Sequence, residues 1–126
     1  MPTFKKILTA IIVGLAALTT VLFILYGQYA ANKSIYSGFV EFGFESQSFR
    51  PCGGGPQWWL MGPALPELSQ RYQELAGAHY QPLYAELQAV LSEPGNYGHM
   101  GVYEREMEVV EVVALDIQGP ADCDKY

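Results

Sequence analysis

Three hydrophobic patterns follow one another along the 126 residues. The first is continuous: Ile7 to Tyr26 carries no charge and is interrupted only by Gly14, Thr9, Thr19 and Thr20. At 1.5 Å rise per residue a helix of that length spans roughly 30 Å, the hydrocarbon thickness of a bilayer. The second pattern has period two. From Ile35, the side chains of Val40, Phe42 and Phe44 fall on one face, with Phe39, Glu41, Gly43 and Glu45 on the other, which predicts a half-buried strand. Gly38 and Gly43 allow that strand to bulge or coil, and Phe49 and Cys52 end it. Gly53 to Gly55, held between Pro51 and Pro56, then reverse the chain into a short aromatic strand, Trp58 to Met61. The third pattern has the helical period: Leu65, Leu68, Tyr72, Leu75 and Ala76 share one face of a helix over residues 64–76. Pro66 and Glu67 suit its first turn, and Gly77 is placed to stop it.

Alternation returns afterwards. Leu83, Ala85, Leu87, Ala89 and Leu91 face one way, and Tyr84, Glu86, Gln88 and Val90 the other. Ser92 to Gly101 reads as a loop around Pro94-Gly95-Asn96. Glu106 to Ile117 is the longest strand candidate, with Met107, Val109, Val113, Leu115 and Ile117 on its inner face. Val110, Val112 and Ala114 make the other face apolar too, which predicts a central strand covered on both sides. The expected fold is α+β and mainly β: a small OB-like antiparallel barrel with one helix, preceded by a single N-terminal transmembrane helix. An α+β roll with an open antiparallel sheet fits the same order of elements. Residues 1–30 form the anchor and residues 31–126 the folded domain.

Charge places the two parts. Lys5 and Lys6 precede the apolar run, and the residues after it carry 5 basic and 13 acidic side chains, a net of −8. The positive-inside rule then puts the N-terminus in the cytoplasm and the domain outside, with Tyr26 and Tyr29 at the outer interface. A cleaved signal peptide is expected to have a shorter apolar region and small residues before the cut, which Gln28-Tyr29-Ala30-Ala31 does not supply. No cysteine precedes Cys52, so no lipobox is present. The reading is a signal anchor in the bacterial inner membrane, single pass, embedded through residues 7–26, with the C-terminal domain in the periplasm. So acidic a surface repels phosphate backbones and excludes nucleic acid as a partner.

Cys52 and Cys123 are the only cysteines. In an oxidising compartment they are expected to pair. The bridge closes a loop of 71 residues, for which chain entropy gives roughly 4 kcal/mol. In a domain this small the core is thin and such a staple counts.

Phe49 and Cys52 before a glycine turn, Leu68 to Tyr72 on a helix, the strands Pro-Leu-Tyr-Ala-Glu-Leu and Glu-Val-Val-Glu-Val-Val, and a last cysteine together form a pattern. It resembles the C-terminal OB-like domain of NlpE-type envelope lipoproteins over about residues 36–123. The resemblance implies a non-enzymatic extracytoplasmic module associated with copper homeostasis, surface sensing and envelope stress signalling. The Cys-x-x-Cys pair on which the family's copper association draws has no counterpart here, and a transmembrane anchor stands in for the lipid.

Candidate chemistry is sparse. Trp58 and Trp59 are adjacent in a strand, so one faces the core and the other the surface. With Phe49, Tyr36 and Tyr97 they could form an aromatic platform of the kind OB folds use. Tyr97-Gly98-His99-Met100-Gly101-Val102-Tyr103 brackets glycines with tyrosines and reads as a contact loop on a rigid scaffold. The candidate binding surface is therefore Trp58, Trp59, Tyr97, His99 and Tyr103. Gly53 to Gly55 could cradle an anion, but neither a lysine nor a helix start follows, so the reading is a structural turn. His99 and Met100, with His79, Met61 and Met107 elsewhere, are the candidate soft ligands for copper(I). No Ser-His-Asp set or paired buried acid can be assembled, so neither an enzyme nor a cofactor is expected. The expected function is a membrane-anchored periplasmic interaction module with a protein partner in the envelope, in sensing or as an accessory of a membrane complex. The alternative is a copper- or metal-handling envelope protein using His99 and Met100. Gly14, Ala16, Ala17 and Leu18 give the anchor a patch for close helix packing.

Overall fold

The computed structural model describes residues 2–123. The chain divides into two compact units, residues 1–32 and 33–126. The first is one helix, α1 (Pro2–Ala31), whose side chains are exposed from Thr3 to Ala31. From Thr3 to Ala31 it has a mean hydropathy of 2.6, long and apolar enough to cross a membrane. A membrane anchor and a signal sequence both meet that description.

The second unit is built from β1 (Ser34–Gly43), β2 (Ser46–Pro51), β3 (Trp58–Met61), α2 (Leu65–Leu75), β4 (Leu83–Leu91) and β5 (Glu106–Asp116). The sheet closes on itself in the order β1-β2-β3-β5-β4 and back to β1, a closed barrel, which removes the open-sheet alternative. Four pairings are antiparallel and one, β3 with β5, is parallel. The expectation of an antiparallel barrel therefore fails at that one seam. The physical reason is the connection: α2 and β4 intervene between β3 and β5, so the chain can return in the same direction.

Two other expectations are corrected. The strand expected to run from Ile35 towards Cys52 is two strands, because the chain reverses at Phe44-Glu45 and Gly43 pairs with Ser46. Phe44 is thus 81% exposed instead of sharing the inner face with Val40 and Phe42. Nothing like Asn-Gly or Asp-Gly announces this turn. In β5 the register against β4 shifts twice, between Glu86 and Leu87 and between Gln88 and Ala89. Met107, Val109 and Val112 point inward and are buried, while Val113 and Ile117 are exposed. The bulges absorb the unbroken Val-Val-Glu-Val-Val run, and β5 is covered on its inner face only.

The core is the barrel interior. Val40, Phe49, Leu60, Leu83, Leu87, Met107 and Val109 fill it, and Leu68 and Tyr72 of α2 pack into the same cluster. Leu75, expected on that face of α2, is exposed at the last residue of the helix. A second, smaller cluster lies on the outer face of β1 and β4, where Phe39 and Tyr84 pack against Cys123 and Cys52. Those cysteines form a disulfide. The glycine turn has the defined shape its composition implied, with φ of 90°, 86° and 112° at Gly53, Gly54 and Gly55.

The Tyr72 phenol donates to the Gln81 carbonyl at 2.7 Å. Burial pushes its pKa above the usual tyrosine value, as it does for Tyr84. The unfolded chain therefore ionises first as pH rises, so the stability both groups lend is full below about pH 10 and lost above it. Tyr72→Phe should cost about 1 kcal/mol at neutral pH, the worth of one hydrogen bond. It should also flatten the loss of Tm above pH 10. Melting curves of both proteins from pH 8 to 11 check this, and parallel alkaline slopes would contradict it.

Candidate functional site

The residues singled out from the sequence gather around β3, but not on one surface. Trp58 lies opposite Phe49 and shares its side of the sheet, stacked on that ring at 5.9 Å and edge-on to Tyr36 at 6.0 Å. It packs against the core. Trp59 lies opposite Ser48 on the outer wall, as alternation along a strand requires. The outward tryptophan is thus Trp59.

Trp59 does not stand open. The connection from β4 to β5 folds into a hairpin that lies over it like a strap. Tyr97 and Tyr103 exchange backbone hydrogen bonds at 2.8 and 3.2 Å, and Gly95 donates to the Glu104 carbonyl at 2.8 Å. Below them, Ser92 donates through its N–H to the Glu106 carbonyl at 2.9 Å and accepts the Glu106 N–H on its Oγ at 2.8 Å. Tyr103 packs against the Trp59 ring at 5.2 Å. Gly98 sits directly on that ring with φ of 68°, and any Cβ there would overlap the indole. A glycine is the only residue that meets both conditions. The strap reaches the β1–β2 turn, where His99 Nε2 lies 3.1 Å from Glu45 Oε2. Tyr103 Oη is also 3.5 Å from Ser46 Oγ.

Two grooves flank this assembly. One, of about 270 Å³, is lined by Glu45, Gln47, Trp59, Tyr72, Gln73 and His79. The other, of about 300 Å³, runs along Pro56, Gln57, Val102, Tyr103 and Glu104. Glu41 lies on the outer face beside the Gln57 amide, which donates to it at 3.4 Å. Burial raises the Glu41 pKa, while Gln57 and the charge of Arg50 pull it back.

His99 and Met100 form the strap's 3-10 turn, His99–Gly101. His99 is engaged with Glu45, and the Met100 side chain is 82% exposed. His79 lines the groove that Glu45 also lines. Among the described residues no three His, Cys, Asp or Glu side chains gather closely enough to hold a metal ion.

Sequence reasoning named Trp58, Trp59, Tyr97, His99 and Tyr103; the structure brings the last four together and places Trp58 against the core instead. It missed Phe44, Glu45 and Tyr80. Tyr80 lies across Gly43, and its phenol donates to the Phe44 carbonyl at 3.0 Å. No local signal marks them, since Phe44 and Glu45 continue the alternation of β1 and Tyr80 acts through a tertiary contact. No family model, no curated protein and no solved structure matches this chain.

Proposed function

We propose that this is a non-catalytic, membrane-anchored interaction module, with an OB-like barrel held outside the cytoplasm and bound to a protein partner in the envelope. The observation that carries the reading is the strap. A rigid wall, an aromatic clamp on Trp59 and a tethered loop tip make a contact surface of fixed shape rather than a cleft with reactive groups. A ring of five strands with one helix between the third and fourth supports the OB-like reading. The order of elements and the two cysteines support the likeness to the C-terminal domain of NlpE-type lipoproteins. A helix with a long apolar run, in a chain that also carries a disulfide, supports placement in an oxidising compartment across a membrane, periplasmic in a bacterium. A net charge of −8 beyond the helix argues for protein, and against nucleic acid, as the partner.

The four lysines test orientation, since Lys5 and Lys6 lie in the first turns of the helix, before its apolar run, and Lys33 and Lys125 follow the helix. A membrane-impermeant amine reagent applied to intact spheroplasts should label the second pair and spare the first until lysis. The reverse pattern would overturn the placement. Binding is tested by purifying the full-length chain from gently solubilised membranes. A partner should accompany the native protein, and Trp59→Ala with Tyr103→Ala should lower its yield about tenfold, the scale of a lost interface anchor. A chain that always purifies alone would sink the reading.

A further inference from the structure

Among the described residues outside glycine, three have positive φ: Glu45 at 52°, Tyr80 at 62° and Met100 at 60°. They are far apart in sequence and converge in space. Tyr80 reaches the β1–β2 turn through two hydrogen bonds, from its N–H to the Phe42 carbonyl at 2.9 Å and from its phenol to the Phe44 carbonyl at 3.0 Å. His99, next to Met100, reaches the same turn through Glu45 at 3.1 Å. Among the described residues outside glycine, positive φ is therefore confined to two turn tips that meet through His99 and Glu45, and to Tyr80, which is bonded to one of them.

Among the described residues of that unit, Phe44 at 81% and Met100 at 82% are the most exposed large apolar side chains, and Tyr80 is 49% exposed. Strained backbone persists where the surroundings over-determine it, and here it projects apolar groups into solvent. Neither burial nor turn formation requires this. Aromatic residues and methionine are the types enriched at protein interfaces, and the flexible thioether of methionine adapts to an opposing surface.

We infer that Phe44, Tyr80 and Met100 form a protruding docking surface for a partner protein that offers an apolar cleft rimmed by lysine or arginine. Charge decides among the possible occupants. Beyond the helix the chain carries −8, so an anionic membrane surface and a second copy are both repelled, and a basic rim is attracted. Protruding turn tips fit a cleft rather than a flat face. This deepens the proposed function and rests on it, since the barrel must act by binding.

The test places the photo-crosslinking residue benzoylphenylalanine at Phe44 or Met100 of the full-length chain in its native membranes. Val113 and Ile117, exposed on β5 and just beyond it, serve as the comparison positions. Positions 44 and 100 should give an adduct with the same heterologous protein, through an apolar segment of it flanked by Lys or Arg. Raising the ionic strength should lower the yield about fivefold, as screening weakens the charge attraction. Adducts with lipid alone, with a second copy alone, or through an acidic segment overturn the docking surface. Protein adducts at 113 or 117 with none at 44 and 100 overturn it too, while leaving the interaction module intact. No protein adduct at any of the four positions overturns both.

Discussion

Replacing Cys52 and Cys123 together by serine is expected to lower the stability of the barrel by about 4 kcal/mol, most of what a domain of this size commonly has. Loop closure over a separation of 71 residues supplies most of that figure. The rest comes from cover. Cys123 is buried against Phe39 and Tyr84, which are 2% and 7% exposed on the outer face of the barrel. Once the bridge is gone, the described part of the segment after β5 keeps its apolar contacts with Phe39 and Tyr84, while the Cys123 N–H to Pro120 carbonyl bond lies within the segment and does not tie it to the barrel. Phe39 and Tyr84 then face water. Urea unfolding of the full-length chain in detergent, oxidised, reduced and doubly substituted, reads the effect as a fall of about 2 M in the midpoint. The reduced native protein and the serine variant should coincide, since both lack only the bond. A midpoint shift under about 0.5 M would mean the core alone carries the fold, against this expectation.

How much of this was legible in the sequence depended on how local the cause was. The apolar helix announces itself by an unbroken run and β4 by a period of two; β5 is found as a strand, but its bulges take Val113 off the inner face that alternation assigned to it. Leu83–Leu91 is found with both ends correct. The glycine turn is equally plain, since Pro51 and Pro56 bracket residues that alone accept positive φ. The β1–β2 turn was hidden because Phe44 and Glu45 are neither turn formers nor alternation breakers. The tertiary contact of Tyr80 across Gly43 holds that reversal from 36 residues away. The parallel seam was hidden for a related reason, since pairing of β3 with β5 is settled by closure of the whole ring. Trp58 and Trp59 show the boundary clearly. Alternation says that they part, but only the register against Phe49 and Ser48 says which goes inside.

That register makes Phe49→Ala the most damaging single truncation, with an expected cost of about 4 kcal/mol. Phe49 has no exposed surface, lies opposite Val40 on one side and Trp58 on the other, and stacks on the Trp58 ring at an interplanar angle of 22°. Truncation opens a cavity and also removes an aromatic pair worth about 1 kcal/mol beyond its area. Gly38 is the complement of this side chain. A Cβ at Gly38 would come within 2.6 Å of Phe49 Cζ and would also overlap the Arg50 carbonyl oxygen. Gly38→Ala should therefore cost about 3 kcal/mol on its own, at the upper end for overpacking. In the Phe49→Ala background part of that cost should disappear, because the ring is gone, and part should remain, because the backbone oxygen is not. Denaturant midpoints of the two single variants and the double variant measure the coupling, and strictly additive costs would show that the ring does not crowd Gly38. The effect should also travel outward. β3 is only four residues long, so a Trp58 that sinks into the cavity drags Trp59 with it and loosens the clamp of Gly98 and Tyr103. In a Trp58→Phe background, where Trp59 is the sole tryptophan, Phe49→Ala should shift the tryptophan emission to the red. An unmoved spectrum would show that the strap holds Trp59 independently of the core beneath it.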